Sequence, residues 1–126
     1  MKKDIQNRKD IELLINHFYE EVRKDELIGF IFNDIASVNW EKHLPIMYDF
    51  WEGLLFGNSN YKGNPMLVHI QLDKKIMLLP EHFERWKKLF FQSLDSLFQG
   101  EKTEETKSKA NSIASVMLHK VENMRG

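Results

Sequence analysis

Apolar positions recur at three- and four-residue intervals along most of the chain. Over residues 10–24, Ile11, Leu14, Ile15, Phe18 and Val22 define one face of a helix, with Asp10 as its expected N-cap. A short apolar stretch follows at 27–32 and is expected to end at Asn33 and Asp34. A second helix is predicted over 40–56, capped by Asn39 and carrying Leu44, Met47, Trp51, Leu54 and Leu55 on one side. His43 precedes Met47 by four residues, so it shares that inner face. Pro45 removes one backbone donor and predicts a bend near the start of this helix.

Residues 57–65 are rich in Gly, Asn and Ser and read as a loop. Pro65 is placed to open a short helix carrying Met66, Leu67, Val68 and His69, after which a less regular stretch is expected up to Leu79. Pro80 opens a long helix with an apolar stripe of Phe83, Trp86, Phe90, Leu94 and Leu97, and Gly100 is its expected end. The last helix is predicted from near Thr103, where Glu104 and Glu105 suit a first turn, with Ala110, Ile113, Ala114, Met117 and Val121 facing inward. No segment alternates as a strand does, and no repeat or composition shift divides the chain. The expectation is one all-α domain over residues 1–126.

Composition narrows the function. With 42% hydrophobic and 29% charged residues, the chain suits a globular domain. A formal net charge of −1 supplies no basic field for nucleic acid or an anionic membrane. The absence of cysteine excludes disulfides, iron–sulfur ligation and thiolate catalysis. No apolar run is long enough for a signal or a membrane span, so a cytoplasmic location is expected. Nine Phe, three Trp and three Tyr are many for this length, which points either to a bulky core or to a pocket for a flat apolar ligand.

The chemistry-bearing residues are few. The five histidines, His17, His43, His69, His82 and His119, include no pair spaced i and i+4 on one helix, the usual form of a helical zinc site. There is no glycine elbow to expose a nucleophilic serine and no glycine-rich phosphate loop. Tyr19, His43, His69 and Trp86 remain, each pairing an apolar body with a polar tip, on four different helices. Such a tip buried without a partner costs about 1–3 kcal/mol. Spacing leaves two readings open: convergence on one ligand, or separate backbone and water partners for each.

In its order of motifs the chain resembles the truncated haemoglobins, most closely their third group. The matching stretches begin with Phe18-Tyr19-Glu20-Glu21-Val22-Arg23-Lys24-Asp25, Ile31-Phe32-Asn33 and Trp40-Glu41-Lys42-His43, then Asp49-Phe50-Trp51. They continue with Gly63-Asn64-Pro65-Met66 leading to His69, His82-Phe83-Glu84-Arg85-Trp86 with Leu89-Phe90, Gly100-Glu101-Lys102, and Ile113-Ala114. The first two groups carry glycine pairs at two loops; this chain has no Gly-Gly, which favours the third. The resemblance implies a shortened globin, a two-over-two helical sandwich around haem b. Its proximal histidine, the iron ligand, falls on His69. Its distal Tyr, His and Trp fall on Tyr19, His43 and Trp86, and pocket-lining positions fall on Phe32, Met47 and Phe50. Lys74, Lys75 and Arg85 are charge-compatible with the haem propionates, while His82 is read as structural or surface and not as an iron ligand.

The function so implied is binding of dioxygen, nitric oxide or a similar diatomic gas at a five-coordinate iron. Several distal donors favour redox chemistry, such as nitric oxide dioxygenation or peroxide handling, over oxygen transport. Turnover would need an external reductase, and the chain is expected to be a monomer or weak dimer. The alternatives are a haem-based gas or redox sensor without turnover, and a haem-free helical interaction domain, against which the presence of His69 argues.

Overall fold

The computed structural model describes residues 2–57, 61 and 63–125. Within them the chain forms α1 (Arg8–Lys24), a π-helical turn (Ile31–Ile35), α2 (Trp40–Phe56), α3 (Pro65–Lys75), α4 (Pro80–Leu97) and α5 (Glu101–Met124). No strand occurs among the described residues. α1 packs on α2, α4 packs on α5, and α1 also crosses onto α4, giving two helices over two. α3 packs on α5, to one side of that frame.

The apolar stripe of α1 is buried as its periodicity requires: Ile11, Leu14, Ile15, Phe18 and Val22 all lie in the core. Opposite them, Trp86, Phe90 and Trp51 stack in a row, with centroid separations of 5.4 and 4.9 Å. Phe18 meets Phe90 edge-on at 5.0 Å. These offset and edge-on contacts, the arrangements aromatic quadrupoles favour, join α1, α2 and α4 at one point.

Ion pairs hold the same helices in register. The Arg8 guanidinium reaches Asp49 at 2.8 Å and Glu52 at 2.9 Å on α2. Arg85 on α4 reaches Asp25 at 2.8 Å, and the Asp25 carboxylate also accepts the backbone N–H groups of Leu27 and Ile28. Burial alone would raise the Asp25 carboxyl, but these partners hold it below the ordinary range.

Several expected boundaries move. The N-cap of α1 is Asn7, whose side chain accepts from Asp10 N–H at 3.1 Å. Asp10 sits one turn inside, and its carboxylate accepts from Gln6 N–H at 2.8 Å. The two residues thus share the reciprocal work of a helix start, which sequence alone assigned to one of them. Asn39 caps α2 as expected, the helix runs on through Pro45, and Gly57 ends it in the left-handed conformation. The expected loop at 57–65 falls partly outside the described residues. α3 extends to Lys75 where a less regular stretch was predicted. None of its residues is fully buried, so it lacks the sharp apolar stripe that marks a helix in sequence.

Gly100 does not end α4, which stops at Leu97; it begins α5. Its φ of 146° disfavours any side chain, and a Cβ there would lie 2.5 Å from Cγ of Asp4. That close approach lets the Asp4 carboxylate accept from Lys102 N–H at 2.7 Å and from Thr103 N–H and Oγ1–H, each at 2.8 Å. An aspartate from the N-terminal segment therefore caps α5 from a distance. Burial alone would raise the Asp4 carboxyl, and the donors of Lys102, Thr103 and Ile5 outweigh it and hold the group low.

A group with a lowered folded-state pKa stabilises the fold above its unfolded pKa and loses that contribution as pH falls through the folded value. Asp4→Ala is therefore expected to cost about 1–2 kcal/mol at neutral pH, roughly 4–10 °C in thermal midpoint. Its deficit against wild type should narrow below about pH 4. Thermal unfolding followed by circular dichroism at several pH values checks both parts.

Candidate functional site

The five histidines divide by what their ring nitrogens touch. Nδ1 of His17 lies 2.8 Å from the hydroxyl of buried Ser93, joining α1 to α4. His82 Nδ1 accepts from Leu79 N–H at 2.9 Å and caps the start of α4, in agreement with its structural reading. His119, exposed on α5, pairs with Asn123 at 3.0 Å. These three are accounted for by local structure. His43 and His69 differ.

His69 is positioned by the start of its helix. The Asn64 side chain caps α3 by accepting Leu67 N–H at 3.0 Å, and Pro65 supplies the fixed φ of the first helical residue. One turn later His69 Nδ1 lies 2.6 Å from the Pro65 carbonyl oxygen. A carbonyl only accepts, so Nδ1 carries the proton and the Nε2 lone pair is left available. Burial lowers the His69 pKa, outweighing the Pro65 hydrogen bond that raises it, so the ring is neutral near pH 7. A neutral imidazole with its other nitrogen hydrogen-bonded to a backbone carbonyl is the form in which histidine binds a metal.

His43 lies on the inner side of α2. Its Nε2 is sealed from solvent and has no hydrogen-bond partner among the described residues, a state that costs about 1–3 kcal/mol unless a ligand relieves it. Burial also lowers its pKa. The Tyr19 ring meets it edge-on at 5.2 Å. Tyr19 is buried near the end of α1, and burial pushes its phenol well above the ordinary value, so the hydroxyl stays protonated and can donate.

The other predicted residues take distinct places. Phe32, on the π-helical turn, lies 6.0 Å from the Tyr19 ring, so it belongs to the same group. Trp86 joins through Phe18, which it meets edge-on at 5.7 Å and which itself touches Tyr19 at 4.8 Å. Met47 is half-buried one turn beyond His43. Phe50 stands further along α2, edge-on to Trp51 at 5.5 Å and to Tyr61 at 5.0 Å. Of the charge-compatible residues, Arg85 is engaged by Asp25, while Lys74 and Lys75 are exposed. An open depression of about 410 Å³ along the last turns of α3, lined by Ile70, Lys74, Met77, Met124 and the Asp73–Arg125 pair, takes in Lys74 but none of Tyr19, His43, His69 and Trp86.

Sequence reasoning passed over Trp40. It is the first residue of α2 and touches Tyr19 at 5.2 Å, His43 at 5.7 Å and Phe32 at 6.3 Å. The available signal was its spacing of three before His43, which places both rings on neighbouring positions of one helix face.

The donor set bears on what the site can hold. Among the described residues no three His, Asp or Glu side chains gather as a metal-binding group. A metal at His69 would take its remaining ligands from a group brought with it, as a porphyrin does. The apolar residues on α2 and the first half of α4, among them Met47, Phe83 and Trp86, are half-buried, and their faces suit a flat apolar group. The residues present therefore fit haem.

Comparison with known proteins gives the same answer. The family model described as bacterial-like globin matches residues 4–122. Group 3 truncated hemoglobin ctb of Campylobacter jejuni is 36% identical over 118 residues, 91% of this chain and 91% of that protein. The crystal structure of group III truncated hemoglobin from Campylobacter jejuni matches with a TM-score of 0.84 at 34% identity, covering 96% of this chain and 95% of that one. No helix among the described residues is long and apolar enough to cross a membrane. With the two-over-two frame, these matches place the chain in the bacterial-like globin family, among the group III truncated haemoglobins, a family whose members bind haem and small gaseous ligands.

Proposed function

We propose that the chain holds haem b through Nε2 of His69 and binds dioxygen or another diatomic gas beside Tyr19 and His43, in the service of redox chemistry more than oxygen delivery. The observation that carries this reading is the 2.6 Å bond from His69 Nδ1 to the Pro65 carbonyl, which orients the ring and leaves Nε2 as the donor. When bound, haem supplies an iron that takes a diatomic gas and exchanges electrons.

The chain's own residues set the conditions. Tyr19 keeps its proton at any physiological pH and donates through its hydroxyl. His43, neutral because burial disfavours its cation, offers one N–H. Trp86 has an indole N–H one ring away. Phe32, Met47 and Phe50 are apolar neighbours that exclude water, and exclusion of water strengthens each donor. Several donors in a dry pocket favour a ligand that leaves slowly. Slow release suits reaction with nitric oxide or peroxide, with an external reductase renewing the reduced state. The lack of cysteine suits the reducing cytoplasm.

Three measurements test this. His69→Ala should lose stably bound haem, seen as loss of the sharp Soret absorbance in the purified protein. Full haem content with an unchanged ferrous spectrum would remove His69 as the ligand. Tyr19→Phe keeps the ring and deletes the donor, so dioxygen should dissociate roughly 5- to 30-fold faster, as loss of a bond worth about 1–2 kcal/mol requires. An unchanged rate would make Tyr19 a packing residue. In stopped-flow mixing of the dioxygen-loaded protein with nitric oxide, nitrate should form faster than dioxygen dissociates. Oxidation limited by dioxygen release would instead leave gas binding without dioxygenation.

A further inference from the structure

We propose that Trp40, pinned from outside by Arg23, is the positioning residue that keeps the His43 ring turned inward against Tyr19. The geometry stands on its own; its consequence for gas entry rests on the functional reading above.

The His43 side chain needs such a restraint. Its Nε2 is buried without a partner among the described residues, and a ring that swung outward would find water to bond. Helical side chains lean toward the N-terminus of their helix, so His43 leans toward the residues one turn before it. Trp40 occupies that position, and its ring meets the imidazole at 5.7 Å with an interplanar angle of 86°. From α1, Tyr19 meets the same imidazole at 5.2 Å and 80°. His43 is thus flanked by an aromatic ring from each helix.

Trp40 is itself held on several sides. Tyr19 lies 5.2 Å away, Phe32 stacks on it at 6.3 Å and 25°, and the Arg23 guanidinium sits 5.0 Å over its ring. Arg23 follows Tyr19 by four residues, so both reach Trp40 from one face of α1. A cation over an indole is the strongest pairing of its type with a side-chain ring. Arg23 is exposed and lies outside the apolar core, so the contact restrains Trp40 from the solvent side. The resulting order is Arg23, Trp40, His43: a surface cation fixes an indole, and the indole fixes the imidazole that would otherwise turn to water.

The test is carbethoxylation of histidine by diethyl pyrocarbonate, read residue by residue by mass spectrometry on haem-loaded protein. In wild type, exposed His119 should react readily and His43 slowly. Trp40→Ala should raise the His43 rate roughly tenfold, equivalent to about 1.4 kcal/mol of lost restraint. Trp40→Phe, which keeps a ring, should restore most of the protection. Arg23→Gln, a surface change that leaves the fold intact, should raise the rate roughly 2- to 5-fold, as loss of one cation–π contact implies, and decides the matter if Trp40→Ala does not fold. Carbon monoxide association after flash photolysis should quicken in the same order. Unchanged His43 reactivity in Arg23→Gln, or in a folded Trp40→Ala, overturns the proposal. Faster labelling with unchanged gas association upholds the role of Trp40 and overturns only its consequence for gas entry past His43.

Discussion

α1 is pressed between two partners, and the other helices take their places from it. Ile11, Leu14, Ile15 and Val22 are 0% exposed, with α2 on one side and α4 on the other. A helix buried on so wide an arc fixes both neighbours at once, because a close-packed interior does not tolerate a shift of even one methylene. The end of the same helix supplies Tyr19, Arg23 and the neighbouring Asp25, so the packing that builds the core also sets the pocket. A change in how α1 seats would reach the candidate site without touching a site residue.

The two inward histidines show how similar side chains acquire different roles. His69 is tied through Nδ1 to its own helix, which fixes its tautomer and leaves a lone pair. His43 is held by ring faces and edges, which restrain its position without satisfying its nitrogen. One arrangement suits a permanent bond. The other suits a group that must remain ready to donate to something transient. Both depend on burial to keep the ring neutral.

Periodicity made most of this fold legible. The stripes of α1 and α4 are regular because each faces a continuous core, and the inner position of His43 followed from its spacing to Met47. Where burial is partial the signal fades, so α3 was read too short although Pro65 marked its start correctly. Boundaries shifted where a residue outside the helix took part in the cap: Asn7 with Asp10, and Asp4 with Gly100. The assignment of His69 came from resemblance, since a histidine on an apolar background has many uses. The free nitrogen of a ring, and the grouping of Trp40 with residues of three separate elements, exist only in three dimensions.

The cap on α5 bears on how the chain reaches its final form. Asp4 and Thr103 are 99 positions apart, and Gln99 N–H also bonds the Lys3 carbonyl at 3.0 Å. A closure of that span must wait until residues 99–103 exist, since its loop entropy is repaid only once both ends are ordered. During synthesis Lys3 and Asp4 thus emerge well before the groups they bond. The α1–α2 pair can form earlier, through contacts such as Arg8 with Asp49, and docking of Asp4 then fastens the start of α5.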